Sequence, residues 1–294
     1  MWLGLKIGYY QGDPLKLVDD CSKLKPAVFP SVPRLYNRIY SKIKGGLEAQ
    51  TGCKGWIARS AMNAKLARVR ETGAVTHGCW DALLFKKKVA ALLGGNCKYM
   101  FTGSAPINSN VLDFMKIAMC CPLMEGYGLT ETSGASAITW PGDPKTGHVG
   151  GPLPVVKWRL MDVPEMGYLS TDEPYPRGEL CMKGPAVFNG YYKRPDKTAE
   201  AFDAEGWFKT GDVALVLPNG SAKIIDRSKN IFKLSQGEYI APEKIENIFA
   251  LCPYVAQSLV YGDSLRSCAV AVVVPDPEKV KAHAKEKGKS NVYP

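Results

Sequence analysis

From Arg34 to Lys44 (RLYNRIYSKIK) the apolar residues Leu35, Ile39 and Ile43 return every four positions, the spacing of one helix face. Arg34, Arg38 and Lys42 form a second stripe beside them. Trp56 to Arg70 also reads as helix, with Arg59, Lys65, Arg68 and Arg70 giving it basic character. Residues 34–95 therefore have the outline of helix–loop–helix with basic faces. Lys98–Thr102 (KYMFT) is strand-like and runs into Gly103-Ser104-Ala105-Pro106, after which Asn108 or Ser109 can cap a helix through Met119. Strand, glycine turn and helix in that order is α/β grammar.

Near residue 150 the pattern shifts. Val155–Met161, Gly178–Lys183 and Ser221–Asp226 are short strand candidates separated by Gly/Pro turns, which predicts a mainly β subdomain. Pro242–Ala250 opens a helix, Ser258–Tyr261 and Ala269–Val274 are strand candidates, and Pro277–Lys289 reads as a basic helix. The return to mixed α/β places a domain boundary near Asp226–Lys229. The expected class is α/β, α+β in parts.

Composition narrows the possibilities. The chain has 294 residues, 46% of them hydrophobic and 22% charged, which suits one large or two ordinary domains and argues against general disorder. Nine cysteines form no CxxC pair, and the three histidines (His77, His148, His283) are scattered, so neither a metal cluster nor a disulfide framework is indicated. A reducing, intracellular setting is the simplest reading. No apolar run is long enough to span a bilayer, and Met1–Tyr10 lacks the basic leader and cleavage site of a signal peptide. The formal net charge is +10, unevenly spread: residues 1–100 hold 17 Lys/Arg against 6 Asp/Glu, 101–200 hold 9 against 11, and 201–294 hold 12 against 11. A basic first third suits an anionic membrane surface or simply a solvated helix face. Nucleic acid is not expected, since no recognised motif accompanies the charge.

Four segments carry candidate chemistry. Thr102-Gly103-Ser104-Ala105-Pro106 is a glycine turn after a strand, where a ligand can approach backbone closely. In Met124-Glu125-Gly126-Tyr127-Gly128-Leu129-Thr130-Glu131-Thr132-Ser133-Gly134, the glycines beside Tyr127 let its ring stand against a flat ligand such as adenine. Thr130 offers a hydroxyl to phosphate, and Glu131 a hard oxygen to Mg²⁺. In Gly206–Asp212 (GWFKTGD), the Asp212 carboxylate can accept both hydroxyls of a ribose, although a lone Thr-Gly-Asp is usually a turn. Asp226–Tyr239 (DRSKNIFKLSQGEY) holds Arg227, Lys229 and Lys233. The chain has no GxxxxGK[ST], GxGxxG or Gly-x-Ser-x-Gly, so a Walker-type ATPase, a Rossmann dehydrogenase and a serine hydrolase lack support.

In this order the four segments resemble the adenylate-forming superfamily, and most closely its eukaryotic long-chain acyl-CoA synthetases. Gln11-Gly12-Asp13, Val32–Tyr36, Val163–Tyr168 and Asn230–Tyr239 narrow the likeness. The resemblance implies a partial adenylate-forming fold: residues 1–227 as the later part of the large AMP-binding domain with its β subdomain, and 228–294 as hinge and start of the small C-terminal domain. It implies ATP, Mg²⁺, coenzyme A and a long-chain fatty acid as ligands. Gly103, Ser104, Ala105 and Pro106 would line the adenine and acyl pocket. Gly126, Tyr127 and Gly128 would pack on adenine, and Thr130 and Glu131 would serve phosphate and Mg²⁺. Asp212 would bind ribose with help from Arg227. Lys229 would be the hinge, with Lys233 and Gly237 on the coenzyme A side. The superfamily's Ser/Thr/Gly-rich loop ending in Pro-Lys-Gly has no counterpart here, and the position of its C-terminal catalytic lysine is not reached. The resemblance thus implies an internal fragment, inactive in isolation, of an enzyme peripherally bound to endoplasmic reticulum or peroxisome. The competing expectations are a ligase for another carboxylic acid and a non-catalytic nucleotide- or lipid-binding protein.

Overall fold

The four-residue repeat around Ile39 belongs to a helix that starts at Pro33, where the ring's fixed φ and missing N–H suit the first helical position. The computed structural model describes residues 4–13, 16–227, 232–236, 239–263 and 265–288. They fall into two compact units, Met1–Glu125 with Thr139–Gly147, and Gly126–Ile138 with His148–Pro294.

The first unit is a small parallel sheet with helical cover. Its elements are α1 (Leu17–Leu24), β1 (Val28–Ser31), α2 (Pro33–Glu48), α3 (Gly52–Thr72) and α4 (Gly78–Trp80), which continues through a π-helical stretch Asp81–Val89 and a 3₁₀ turn Ala90–Leu93. Then come β2 (Tyr99–Thr102), α5 (Ser109–Met119) and the first half of β3 (Leu123–Leu129). β2 pairs in parallel with both β1 and β3. Tyr36, Ile39, Phe85, Leu93, Met100, Met115 and Leu123 fill the core. Tyr36 Oη donates to the carbonyls of Phe29 (2.9 Å) and Phe101 (3.1 Å), tying α2 to β1 and β2. Arg34, Arg38 and Lys42 line the exposed side of α2 as the spacing predicts. Asn108 rather than Ser109 caps α5, its Oδ1 accepting from Asn110 N at 2.9 Å.

Lys65 departs from expectation. It belongs to no basic surface: only 1% of it is exposed. Its Nζ pairs with Asp81, donates to Ile117 O at 2.7 Å and to Cys120 Sγ at 3.2 Å, and lies 4.4 Å from the centre of the Phe85 ring. Asp81 also accepts from His77 N at 2.7 Å. A buried ammonium persists only with this kind of satisfaction.

The second unit is largely antiparallel. The rest of β3 pairs with β4 (Gly134–Ile138), and β4 with β5 (Gly151–Pro152). A meander β6 (Lys157–Met161), β7 (Arg177–Lys183), β8 (Phe208–Val216), β9 (Ala222–Arg227) follows, with α6 (Pro195–Ala201) between β7 and β8. This is the β subdomain that the turn spacing predicts. β6 starts two residues later than expected because Val156 N–H closes a turn onto Leu153 O at 3.0 Å. The chain ends in β10 (Phe232–Lys233), β11 (Tyr239–Ile240), α7 (Pro242–Phe249), the β12 (Val255–Tyr261)–β13 (Val270–Pro275) ribbon and α8 (Pro277–Glu286). Among the described residues no helix is long and apolar enough to cross a membrane.

Candidate functional site

Tyr127 and Asp212, 85 residues apart, are joined in the second unit: Tyr127 Oη donates to Asp212 Oδ2 at 2.6 Å. Such a short O–H···O⁻ bond is charge-assisted. Tyr127 lies on β3 between Gly126 and Gly128, and Asp212 lies in the middle of β8. Gly128 must lack a side chain, since a Cβ there would stand 1.7 Å from Gly134 O across the β3–β4 pair.

Asp212 occupies a bulge. On β7 the register moves from Glu179↔Val213 to Cys181↔Lys209, so residues 210–212 of β8 have too few ladder partners. Gly211 takes φ +75°, which a side chain would oppose. Three side-chain contacts replace the lost ladder bonds. Gly211 N donates to Glu179 Oε1 at 2.8 Å, Asp212 N donates to Thr210 Oγ1 at 3.1 Å, and Thr210 Oγ1 donates to Leu180 O at 2.7 Å. The result is a buried carboxylate, 6% exposed, turned onto the Tyr127 hydroxyl.

β3 ends in a 3₁₀ turn, Thr130–Thr132. Thr132 is fully buried and closes the turn: its Oγ1 accepts from Leu129 N at 3.0 Å. Thr130 is left exposed and Glu131 half-buried. Glu131 is held at both ends, with its carbonyl accepting from Phe188 N at 2.7 Å and its Oε1 accepting from Tyr191 Oη at 2.8 Å. That contact to the carboxylate, together with burial, raises the Tyr191 phenol above its ordinary range, burial being the larger cause. The tyrosine bonds Oε1 alone, and a single carboxylate oxygen fits Mg²⁺, which commonly takes one or two carboxylates together with substrate phosphates and water. Among the described residues no group of three or more His, Cys, Asp or Glu is arranged to cage a metal.

The other expected site residues are placed as follows. Gly103–Pro106 follow β2 in the first unit, with Ser104 at φ +69°. Arg227 closes β9 with its backbone in register with Asp212. Lys233 lies on β10, and Lys229 and Gly237 lie outside the described residues. Glu179 and Tyr191 were not singled out from the sequence. Both act across strands or loops at separations of 32 and 60 residues, where local spacing carries no signal.

The chain is similar to known proteins in both sequence and fold. The AMP-binding enzyme family matches residues 1–192. Long chain acyl-CoA synthetase 6, peroxisomal, from Arabidopsis thaliana is 48% identical over 98% of this chain, and long-chain-fatty-acid–CoA ligase 1 from Homo sapiens is 48% identical over 97%. The chain spans only 41% and 40% of the length of those two relatives. Among solved structures, the adenylation domain of a carboxylate reductase from Mycobacterium chelonae superimposes with a TM-score of 0.70 at 34% identity, covering 93% of this chain and 38% of its own. The A domain of carboxylic acid reductase from Segniliparus rugosus, solved with AMP and a co-purified carboxylic acid, gives 0.69 at 32% identity, with 97% and 43% covered. The mixed α/β architecture is thus that of part of an adenylation domain, and the chain belongs to the AMP-binding enzyme family.

Proposed function

We propose that the chain is the nucleotide-handling part of an ATP-dependent ligase that activates long-chain fatty acids. In that reaction the fatty carboxylate attacks the α-phosphorus of ATP, giving acyl-AMP and pyrophosphate, and the coenzyme A thiol then displaces AMP. The observation that carries the reading is the 2.6 Å Tyr127–Asp212 bond, which sets an aromatic ring beside a buried carboxylate in the second unit, where β3 also runs on into Thr130 and Glu131. In this reading the Tyr127 ring packs on adenine, and Asp212, already oriented by Tyr127, accepts the ribose hydroxyls. The exposed Thr130 hydroxyl donates to phosphate. Glu131 holds Mg²⁺ through its carboxylate, and the ion when bound offsets charge on the phosphates. Gly103–Pro106 shape the adenine and acyl side.

The names of the relatives in Arabidopsis and human supply the acid and the thiol. The complex of the Segniliparus A domain with AMP and a carboxylic acid supports the nucleotide assignment. Residues 1–227 are read as the large domain, and 228–294 as hinge and start of the small domain, with Lys229, Lys233 and Gly237 on the coenzyme A side. The exposed Arg34, Arg38 and Lys42 face is read as touching an anionic endoplasmic-reticulum or peroxisomal surface.

Because the 294 residues contain no Pro-Lys-Gly phosphate loop, the chain by itself is expected to bind without turnover. Isothermal titration with a non-hydrolysable palmitoyl-AMP analogue tests this, alongside pyrophosphate release with palmitate, ATP and coenzyme A. Saturable binding that weakens at least about tenfold in Asp212→Ala supports the reading, as a lost hydrogen bond to a charged group costs about 1.5–3 kcal/mol. Equal binding by Asp212→Ala refutes it.

A further inference from the structure

Cys97 stands two residues before β2, and Cys121 two residues before β3. The strands are parallel neighbours in register from Met100↔Leu123, and Met100 N donates to Pro122 O at 2.9 Å just ahead of the ladder. The two cysteines therefore sit at the same entry end of adjacent strands and against the same apolar cluster, each thiol close enough to shift the other's acidity. Neighbouring strands run about 4.8 Å apart, and extending the register sets Cys97 one residue off Cys121, a diagonal on the scale of the roughly 4.4–6.8 Å between Cα atoms that a disulfide spans. Cys121 is buried at 3% exposure, whereas Cys97 is half-exposed at the rim of the same apolar cluster.

We propose that Cys97 and Cys121 form a peroxide-reactive thiol pair that closes reversibly to a disulfide. The surroundings assign the roles. Access separates the two sulfurs: Cys97 is open to a small oxidant at the rim, and Cys121 is closed off within the cluster. The accessible sulfur attacks and the buried one resolves. Cys97 thiolate attacks one peroxide oxygen, the O–O bond breaks, and the departing hydroxide takes a proton to leave as water. Cys97 is then a sulfenic acid. Cys121 sulfur gives up its proton and attacks the Cys97 sulfur, the S–S bond forms, the S–O bond breaks, and a second water leaves. One hydrogen peroxide and two thiols give one disulfide and two waters, with a two-electron oxidation of sulfur matched by reduction of the peroxide oxygens.

The neighbouring thiols are less suited. Burial pushes Cys21 and Cys120 each up to about 11, and Cys120 already accepts from Lys65. A bound metal is not the alternative use of the cluster, since no metal-holding group is found among the described residues. The crosslink would lie at the back of the two strands that lead forward into Thr102–Pro106 and Gly126–Gly128.

The test treats the 294-residue chain with hydrogen peroxide in a Cys120→Ser background, so that the Cys121 peptide carries a single thiol. Free thiols are then blocked, and the tryptic peptides, separated by cleavage at Lys98 and Lys116, are analysed without reduction. The expected result is a dithiothreitol-reversible Cys97–Cys121 peptide. Cys121→Ser should leave Cys97 as a sulfenic acid trapped by dimedone, and Cys97→Ser should leave Cys121 unmodified, with thermal unfolding confirming that both variants fold. The proposal is overturned if the linked peptide is absent while the exposed Cys53, Cys79, Cys252 and Cys268 are oxidised. Dimedone labelling of Cys121 in place of Cys97 overturns it as well.

Discussion

Replacing Glu125 with glutamine should abolish most of the stability loss that the first unit suffers between mildly acidic and mildly alkaline pH. Glu125 is 7% exposed on β3, opposite Thr102 of β2. Its backbone is satisfied, with N donating to Thr139 Oγ1 and O accepting from Thr139 N, both at 2.9 Å. Its carboxyl is less well served: Oε2 has no hydrogen-bond partner, and neither has Thr102 Oγ1. Burial pushes the acid up to about 7 from 4.5, opposed by a backbone hydrogen bond from Ile107 and by the Lys116 charge. Burial in turn holds the Lys116 ammonium below its ordinary range, so the partner best placed to compensate is itself desolvated.

The sign follows from proton counting. Between 4.5 and about 7 the unfolded chain has released the Glu125 proton and the folded chain keeps it, so stability is greatest below that window and falls as pH rises through it. At about 1.4 kcal/mol per pH unit, the displacement from 4.5 to about 7 costs about 3 kcal/mol once the group ionises. Glutamine keeps the shape of the neutral acid without a proton to lose. Urea unfolding of parent and Glu125→Gln at about pH 5 and about pH 8 reads the difference. The two should agree within about 1 kcal/mol at the acid end, and the variant should be about 3 kcal/mol the more stable at the alkaline end. Parallel pH profiles for the two proteins would mean that Glu125 is not the group held neutral by burial.

Three further changes probe other contacts. Lys65→Met strands Asp81, whose side chain is 3% exposed, and should cost about 3–5 kcal/mol in urea unfolding, whereas Lys65→Met with Asp81→Leu should recover most of it; a single variant within about 1 kcal/mol of the parent contradicts the buried pair. Gly128→Ala drives a Cβ to 1.7 Å from Gly134 O and should destabilise the second unit by at least about 1–3 kcal/mol, read as a lowered Tm. Glu179→Ala should speed amide hydrogen exchange at Gly211 by about tenfold or more, while Glu179→Gln, which keeps an acceptor oxygen, should stay near the parent. Equal exchange in both variants would remove Glu179 from the support of the Asp212 bulge.

The way these residues were found, or missed, follows from the range of the forces involved. α2 was legible because its burial is local: Ile39 and Ile43 mark a single face, and Tyr36 and Leu47 extend it. Lys65 was misjudged because charge type is a statement about average surroundings, and its partner Asp81 lies on another element that only tertiary packing brings near. The candidate site shows the same divide between two of its segments. Gly126-Tyr127-Gly128 stands out only within the full Met124–Gly134 string, and it is Gly128 whose close backbone approach needs glycine. Asp212 does not stand out, since a Thr-Gly-Asp that looks like a turn is here a bulge inside a nine-residue strand. Its geometry depends on Glu179 of β7, in a cross-strand register that no sequence period encodes. A carboxylate held on a bulge is more costly to build than one on a regular ladder, since it needs a positive-φ glycine and a borrowed acceptor. Glu179 and Thr210 offset that cost, and what the fold obtains is an aspartate fixed on the Tyr127 hydroxyl.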